Sequence, residues 1–422
     1  MTFSKEWWND FLNINDSFKK TCVIENVLSK EDLFHFNKAV QNALINKLKS
    51  GEKGGFRLYF PEENVSKVNI EFRDKMFENP ISEDESIEAY CNRLFKQKFG
   101  IIFNASERYS SYISEKLIKI TKPLTEAVGL PVAGMHATIF IGNYGWTPLG
   151  IHQDHRGANV IHFHLGPGRK TMYTWEEKKY DELTGTKHNN HDIAPLLKYA
   201  EKFDFGSRDL YFMPWNQFHI GKSDDFSIGI TFWFNNPTKI TYLNNIFNTF
   251  FTQYVDDKNE EIINPNLNYF NSNSNFEDFL SIVNLGDKIL NLNFKDFLFM
   301  LYDEYKKGLI SNCGWEDSPI TYEKSKGELI EDRDLSGKKI KLTYPFKIIS
   351  EKDDDNFRFY VRGYKMEIKY HMELLNIIEK LNSFETQLVD ELLENLCNSW
   401  PKEAGLYFLS MIYDKKGIKI VE

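Results

Sequence analysis

The chain has 422 residues, a length that predicts two or three domains and enough residues for a sizeable core. Hydrophobic residues make up 41% and charged residues 27%, which excludes a wholly disordered chain. Lys plus Arg number 52 against 61 Asp plus Glu, a net charge of −9, so the electrostatic footprint of a general nucleic-acid binder is missing and nucleic acid is not an expected partner.

The first 130 residues read as mainly helical. Trp7 to Leu12 is apolar and periodic, and Cys22–Ile24 is a short strand candidate. Ser29 stands as an N-cap before an apolar-periodic segment running to Leu48. Residues 51–105 carry no clear period. Ser110 to Val128 predicts a helix, with a break or kink at Pro123 and a stop at Gly129.

The texture changes at Pro131. Up to residue 239 the chain predicts short strands at 135–141, 159–165, 170–175, 209–213 and 226–234, with alternating or β-branched and aromatic residues. Strands so spaced predict a barrel or a double-sheet jelly roll, and an α+β fold class for the whole. Residues 240–312 return to helical periodicity, with an Asn-rich loop at 264–275, and suit a helical linker or a dimerisation region. Residues 313–336 have a linker composition. Residues 337–422 give strand-like pieces, an acidic turn at Glu351–Asp355, then helices at 372–382, 386–396 and 404–414 and a last strand, the outline of a winged helix. The third of these helices contains no Lys or Arg, which favours peptide or protein contact, or plain packing, over DNA readout.

The four cysteines, Cys22, Cys91, Cys313 and Cys397, are far apart and form no CxxC, which argues against a disulfide scaffold or a zinc finger. Residues 1–16 include Glu and Asp and no secretory apolar stretch, and no apolar run approaches about 18 residues. The expectation is a cytoplasmic protein without a membrane partner.

Eight of the ten histidines lie between His136 and His219, inside the strand-rich region. His152-Gln153-Asp154 places a His and an Asp two apart, on one side of an extended segment. His219 is the distant third ligand candidate. Two His and one carboxylate on one face, with open positions for a co-substrate and O2, is the ligand set of non-haem Fe(II) oxygenases. The same set also accommodates Zn, Mn or Ni and other chemistry. His162 and His164 are read as pocket-lining or satisfied core residues, His155 as outer support or a solvated turn residue, and His188 and His191 as loop residues. Trp146, Trp215 and Trp233 are read as core or pocket wall.

Residues 138–175 resemble the JmjC-type cupin oxygenases. The similar parts are the Gly-containing turn from Gly142 to Gly150, then GIHQD, an apolar strand, a Gly turn and a Lys-bearing strand. GSRDLYFMPWNQFHIG resembles the family's second half, and Ser227 to Phe234 its closing strand. The layout, with helices and then a winged helix, is similar to the ribosomal-protein hydroxylase branch. The resemblance implies a double-stranded β-helix core at 131–239, Fe(II) held by His152, Asp154 and His219, 2-oxoglutarate as co-substrate and O2 as oxidant. It implies a cation for the distal carboxylate of 2-oxoglutarate on the strand after His152–Asp154. Lys170 matches that place. Gly166-Pro167-Gly168 is two or three residues longer than the pattern, so Arg169 competes with it. Thr138 and Tyr144 are candidates for hydroxyl donors. The implied activity is hydroxylation of an amino-acid side chain in a protein or peptide. Its rivals are a same-fold enzyme acting on a small molecule or RNA, another cupin metalloenzyme, and a non-enzymatic cupin-type binding protein.

Overall fold

The computed structural model describes residues 3–61, 68–256, 258–320 and 335–421. The first part contains α1 (Lys5–Ile14), β1 (Cys22–Ile24), α2 (Lys30–Ser50), β2 (Phe56–Tyr59), α3 (Ile70–Glu78), α4 (Ile87–Phe95), β3 (Gly100–Phe103) and α5 (Ser111–Val128). Serine side chains cap four of these helices: Ser4 accepts from Trp7 N–H, Ser29 from Asp32, Ser86 from Ala89 and Ser110 from Ile113. Pro123 does not end α5. The helix continues to Val128, held by Leu117, Ile120 and Leu124, which are buried in the core.

The strand-rich region contains β4 (Met135–Gly142), β5 (Gly145–Trp146), β6 (His152–Gln153), β7 (Ala158–Pro167), β8 (Lys170–Glu176), α6 (Glu177–Thr184), β9 (Glu201–Phe205), β10 (Leu210–Met213), β11 (Gln217–Ser223) and β12 (Ser227–Asn235). They form two antiparallel sheets, consistent with a jelly-roll core. The larger has the order β1-β10-β7-β12-β4-β3-β2, and the smaller β5-β11-β8-β9 with β6 also paired to β11. Strands β1, β2 and β3 come from the part expected to be mainly helical, and they extend the larger sheet at both edges.

Period two decides what each face of the larger sheet does. Ile139 and Ile141 of β4, Ile161, Phe163 and Leu165 of β7, and Ile230 and Phe232 of β12 share one apolar core with Trp8, Phe36 and Leu117 from the N-terminal helices. The alternate residues, Thr138 and Phe140, His162, and Thr231 and Trp233, line a cavity on the other face.

Four helices follow: α7 (Lys239–Tyr254), α8 (Ser274–Leu280), α9 (Asp287–Leu290) and α10 (Phe294–Ser311). Residues 313–320, expected within a linker, instead run along the edge of β4. Met135 N–H donates to Gly314 O at 2.8 Å, Glu316 N–H donates to Met135 O at 2.9 Å, and Trp315 is 1% exposed. The remainder of that expected linker, 321–334, lies outside the described residues.

The last part contains β13 (Lys339–Leu342), β14 (Ile349–Asp353), β15 (Asn356–Val361), β16 (Tyr364–Lys369), α11 (Met372–Asn382), β17 (Gln387–Leu388), α12 (Val389–Leu393), α13 (Lys402–Asp414) and β18 (Ile418–Val421). Two small sheets, β17-β13-β18 and β14-β15-β16, share a core with the three helices. Two expectations are corrected here. Glu351 to Asp353 lie in β14, and only Asp354 and Asp355 make the turn. The helix expected over 386–396 is confined to Val389–Leu393, because Gln387 and Leu388 pair with β13.

Candidate metal centre

The site begins with a register. β6 pairs with β11 so that His152 lies opposite His219, and β8 pairs on the other side of β11 so that Thr174 also lies opposite His219. Asp154 follows β6 by one residue. Ligand atoms of His152, Asp154 and His219 all lie within 4.8 Å of one another, and no other group of three or more such side chains occurs among the described residues. His219 Nε2 is 3.8 Å from Asp154 Oδ2, and the two side chains are 8% and 14% exposed.

The surroundings fix the chemistry of these groups. Nδ1–H of His152 donates to Gly150 O at 2.9 Å, and Nδ1–H of His219 donates to Gln217 O at 3.3 Å. Each bond holds the proton on Nδ1 and leaves the Nε2 lone pair for a metal. Burial pushes both imidazoles down to about 4, so they are neutral at neutral pH, as metal binding requires. Burial pushes the Asp154 carboxyl up to about 6. Its Oδ2 is buried and accepts no hydrogen bond. A buried acceptor with no donor and two adjacent imidazole lone pairs fits a divalent cation.

The three residues open onto a cavity of about 910 Å³ between the two sheets. Lys170, at the start of β8, is buried in its wall, with Nζ 4.9 Å from the Phe140 ring centroid. No carboxylate lies within ion-pair distance of Lys170 among the described residues, and burial pulls its pKa down to about 8. Arg169 is exposed and does not line the cavity. Gly221 makes room for the lysine: a Cβ there would stand 3.3 Å from Lys170 Cε and 2.9 Å from Thr147 Oγ1. Thr138 and Tyr144 both line the cavity and are buried. Thr138 Oγ1 accepts from Trp233 Nε1 at 3.0 Å and donates to Asn104 Oδ1 at 3.3 Å, so its hydroxyl is already engaged.

His162 lines the same cavity. Its Nδ1 is 2.8 Å from Thr231 Oγ1, and its Nε2 has no partner among the described residues. His164 bonds Gly168 O at 2.7 Å instead, bracing the turn before Lys170. His155 is exposed at the cavity rim, and His188 and His191 sit on an exposed loop. Trp233 is cavity wall, whereas Trp146 packs with Tyr173 and Trp215 lies under Arg156. Sequence reasoning missed Arg57, Asn104, Tyr211 and Glu316, which also line the cavity. Arg57 and Asn104 arrive through the pairing of β2 and β3 with β4, which no local pattern announces.

No protein-family model matches the chain, and no curated protein matches it. Among solved structures, it is similar to YcfD, a ribosomal oxygenase from Escherichia coli, in complex with cobalt and succinic acid. The identity is 14% and the TM-score 0.46, with 98% of each chain covered. A second structure of that protein, with cobalt and 2-oxoglutarate, gives 13% identity, a TM-score of 0.45 and the same coverage.

Proposed function

We propose that the protein is an Fe(II)- and 2-oxoglutarate-dependent oxygenase. One juxtaposition carries the reading: a His152–Asp154–His219 cluster shares a cavity with a buried lysine that has no carboxylate partner among the described residues. Iron bound there would supply the redox chemistry that couples oxidative decarboxylation of 2-oxoglutarate to hydroxylation of a C–H bond by O2.

This chain's own residues then have separate tasks. His152, Asp154 and His219 hold the metal on one face. Lys170 gives the distal carboxylate of 2-oxoglutarate a charge-assisted partner in a dry pocket, which places the co-substrate. Arg169 points away from that task by its exposure. Thr138 and Tyr144 shape the pocket, and Tyr144 is the candidate of the two left to offer a hydroxyl, since that of Thr138 is engaged by Asn104 and Trp233. Phe140, Met172, Val160 and Trp233 line the cavity and exclude water.

The reading extends to a protein or peptide substrate hydroxylated on a side chain, in a cytoplasmic setting. Among the described residues no helix is long and apolar enough to cross a membrane. Residues 131–239 are assigned to the JmjC-type catalytic core, 1–130 to its N-terminal cover and 337–422 to a winged-helix module for a macromolecular partner. Residues 240–312 are assigned to homodimer formation. Support for that last role comes from the large apolar side chains exposed there, among them Phe251, Phe270, Phe276, Leu290 and Phe299. YcfD is described as a ribosomal oxygenase, and a ribosomal protein is the first substrate class to try. The test is succinate release from 2-oxoglutarate by protein supplied with Fe(II), ascorbate and air, followed by a search for a gain of one oxygen on candidate peptides. Succinate that disappears in both His152→Ala and Asp154→Ala supports the assignment, and succinate that persists in both removes it.

A further inference from the structure

A second cavity of about 330 Å³ shares no lining residue with the first. Its wall is built from α2 (His35, Lys38), the start of α5 with the residues before it (Arg108, Ser111), the β15–β16 turn (Arg362) and Lys416.

Among the described residues Arg362 has no counter-charge in contact. It is 3% exposed, and its guanidinium lies 3.5 Å from the Phe346 ring centroid. Nε donates to Asn312 Oδ1 at 3.1 Å and Nη2 donates to Ser114 Oγ at 3.4 Å, while Nη1 has no partner among the described residues. No carboxylate comes within ion-pair distance among the described residues, and Glu115 acts on it only from farther away. Burying a charge in this state is costly unless something else neutralises it. The backbone adds to the cost. Arg362 (φ +50°) and Gly363 (φ +87°) form the two-residue turn between Val361 and Tyr364, where Asn-Gly is the usual choice. An arginine with positive φ is disfavoured there by its Cβ.

Three further residues of the wall have the same sign as Arg362. Lys38, Arg108 and Lys416 are cationic, and the 18-residue helix α5 begins at Ser111, so its first free N–H groups stand at the wall. Arg108 is only partly neutralised, with Nη1 3.8 Å from Glu52. The one carboxyl in the wall, Glu107, accepts from Ala137 N–H at 2.8 Å, and burial holds its pKa well above the ordinary carboxylate range. It makes no ion pair with Arg362.

We infer that this cavity binds a small phosphoryl-bearing anion, which neutralises Arg362 and ties the β15–β16 turn to α2 and α5. Cations converging from four segments, together with a helix N-terminus, suit a tetrahedral group with several oxygens better than a planar carboxylate.

The test is calorimetric titration of the metal-free full chain with pyrophosphate at constant ionic strength, with thermal melting in parallel. Saturable one-to-one binding that raises the melting temperature is expected. Lys38→Ala should weaken it about tenfold, the loss of one charge-assisted contact, and Arg362→Met should abolish it. His152→Ala, which alters the other cavity, should bind like the parent. Absence of saturable binding overturns the inference. So does binding unchanged by Lys38→Ala, a decisive arm even where Arg362→Met does not fold, because Lys38 is exposed. Binding lost in His152→Ala would place the anion in the first cavity, and equally tight binding of succinate would replace phosphoryl by carboxylate recognition. Either result also overturns it.

Discussion

His152 and His219 face each other across the β6–β11 pair with ring centroids 4.3 Å apart. Both are held by strands of the smaller sheet, and each Nδ1 is occupied by a carbonyl two residues earlier in its own chain segment. The Nε2 edges that would face a metal are therefore set by backbone geometry, which is the preorganisation a facial ligand set needs.

Removing a ligand should separate binding from stability. In Asp154→Ala the affinity for Co(II) or Mn(II) should fall by more than the roughly 10–100-fold typical of an outer-sphere change. The metal-free variant should melt no lower than the parent, because a buried acceptor without a donor costs about 1–3 kcal/mol and is gone. Melting curves with and without Co(II) check both parts. A metal-free variant that melts several degrees lower would assign Asp154 a structural role.

Lys170 and Arg169 should differ sharply although they are adjacent. Lys170→Met should weaken 2-oxoglutarate binding about 10–100-fold, the worth of a charge-assisted contact in a dry site. Arg169→Met should leave it within about twofold, since its side chain is exposed outside the cavity. Titration of 2-oxoglutarate into the two variants decides, and a reversed order contradicts the account.

Gly229 sits under the His162 ring. A Cβ there would stand 2.3 Å from Cε1 and 2.4 Å from Nε2. Gly229→Ala should cost about 1–3 kcal/mol by overpacking, and the double variant with His162→Ala should recover much of it. Denaturant unfolding of the three variants measures the coupling, and strict additivity would show that the ring yields without cost.

Lys47 should leave a mark on the alkaline stability profile. It is 2% exposed, and burial pulls its pKa from 10.5 down to about 8. Between those values the unfolded chain binds more protons than the folded one, so this group makes stability rise with pH across that window. Its penalty is complete below pH 8 and relieved above 10.5. In Lys47→Met the rise should be smaller by an amount on the order of 3 kcal/mol at most. Urea unfolding of parent and variant at pH 7.5 and pH 10 reads the difference, and equal slopes would contradict it.

Lys365 joins the last part of the chain to the helices before it. Its Nζ lies 2.6 Å from Glu304 Oε1, which also accepts from Tyr254 O–H at 2.6 Å, and Arg358 stands 3.9 Å away. Glu304 is buried, so Lys365→Met removes its nearest counter-charge. A loss of about 2 kcal/mol is expected, below the 3–5 of a fully stripped pair because Arg358 remains. Thermal unfolding measures it, and an unchanged melting point would show that Arg358 suffices.

The strands with strict alternation were legible in the sequence. In β7 the apolar residues Ile161, Phe163 and Leu165 point to the core, and His162 and His164 to the other face, as period two requires. The clustering of His152 and Asp154 was legible too, because His152-x-Asp154 needs only local extension. β11 was not: its residues are nearly all buried whichever way they face, so Gln217–Ser223 shows no alternation, and its pairing with β6 and β8 makes it a strand. The choice between Arg169 and Lys170 was equally closed to inspection. One residue of register reverses the face, and that register comes from the pairing of Lys170 with Phe205. Residues 313–320 misled through composition, since Trp315 is buried by residues distant in sequence, among them Phe232 and Ser114.

The most direct measurement is anaerobic calorimetry of 2-oxoglutarate into the Mn(II)-loaded protein, beside His152→Ala and Lys170→Met. The account predicts one-to-one binding that requires the metal, vanishes in His152→Ala and weakens about 10–100-fold in Lys170→Met. Binding that is absent, or indifferent to both metal and His152, would contradict the oxygenase assignment.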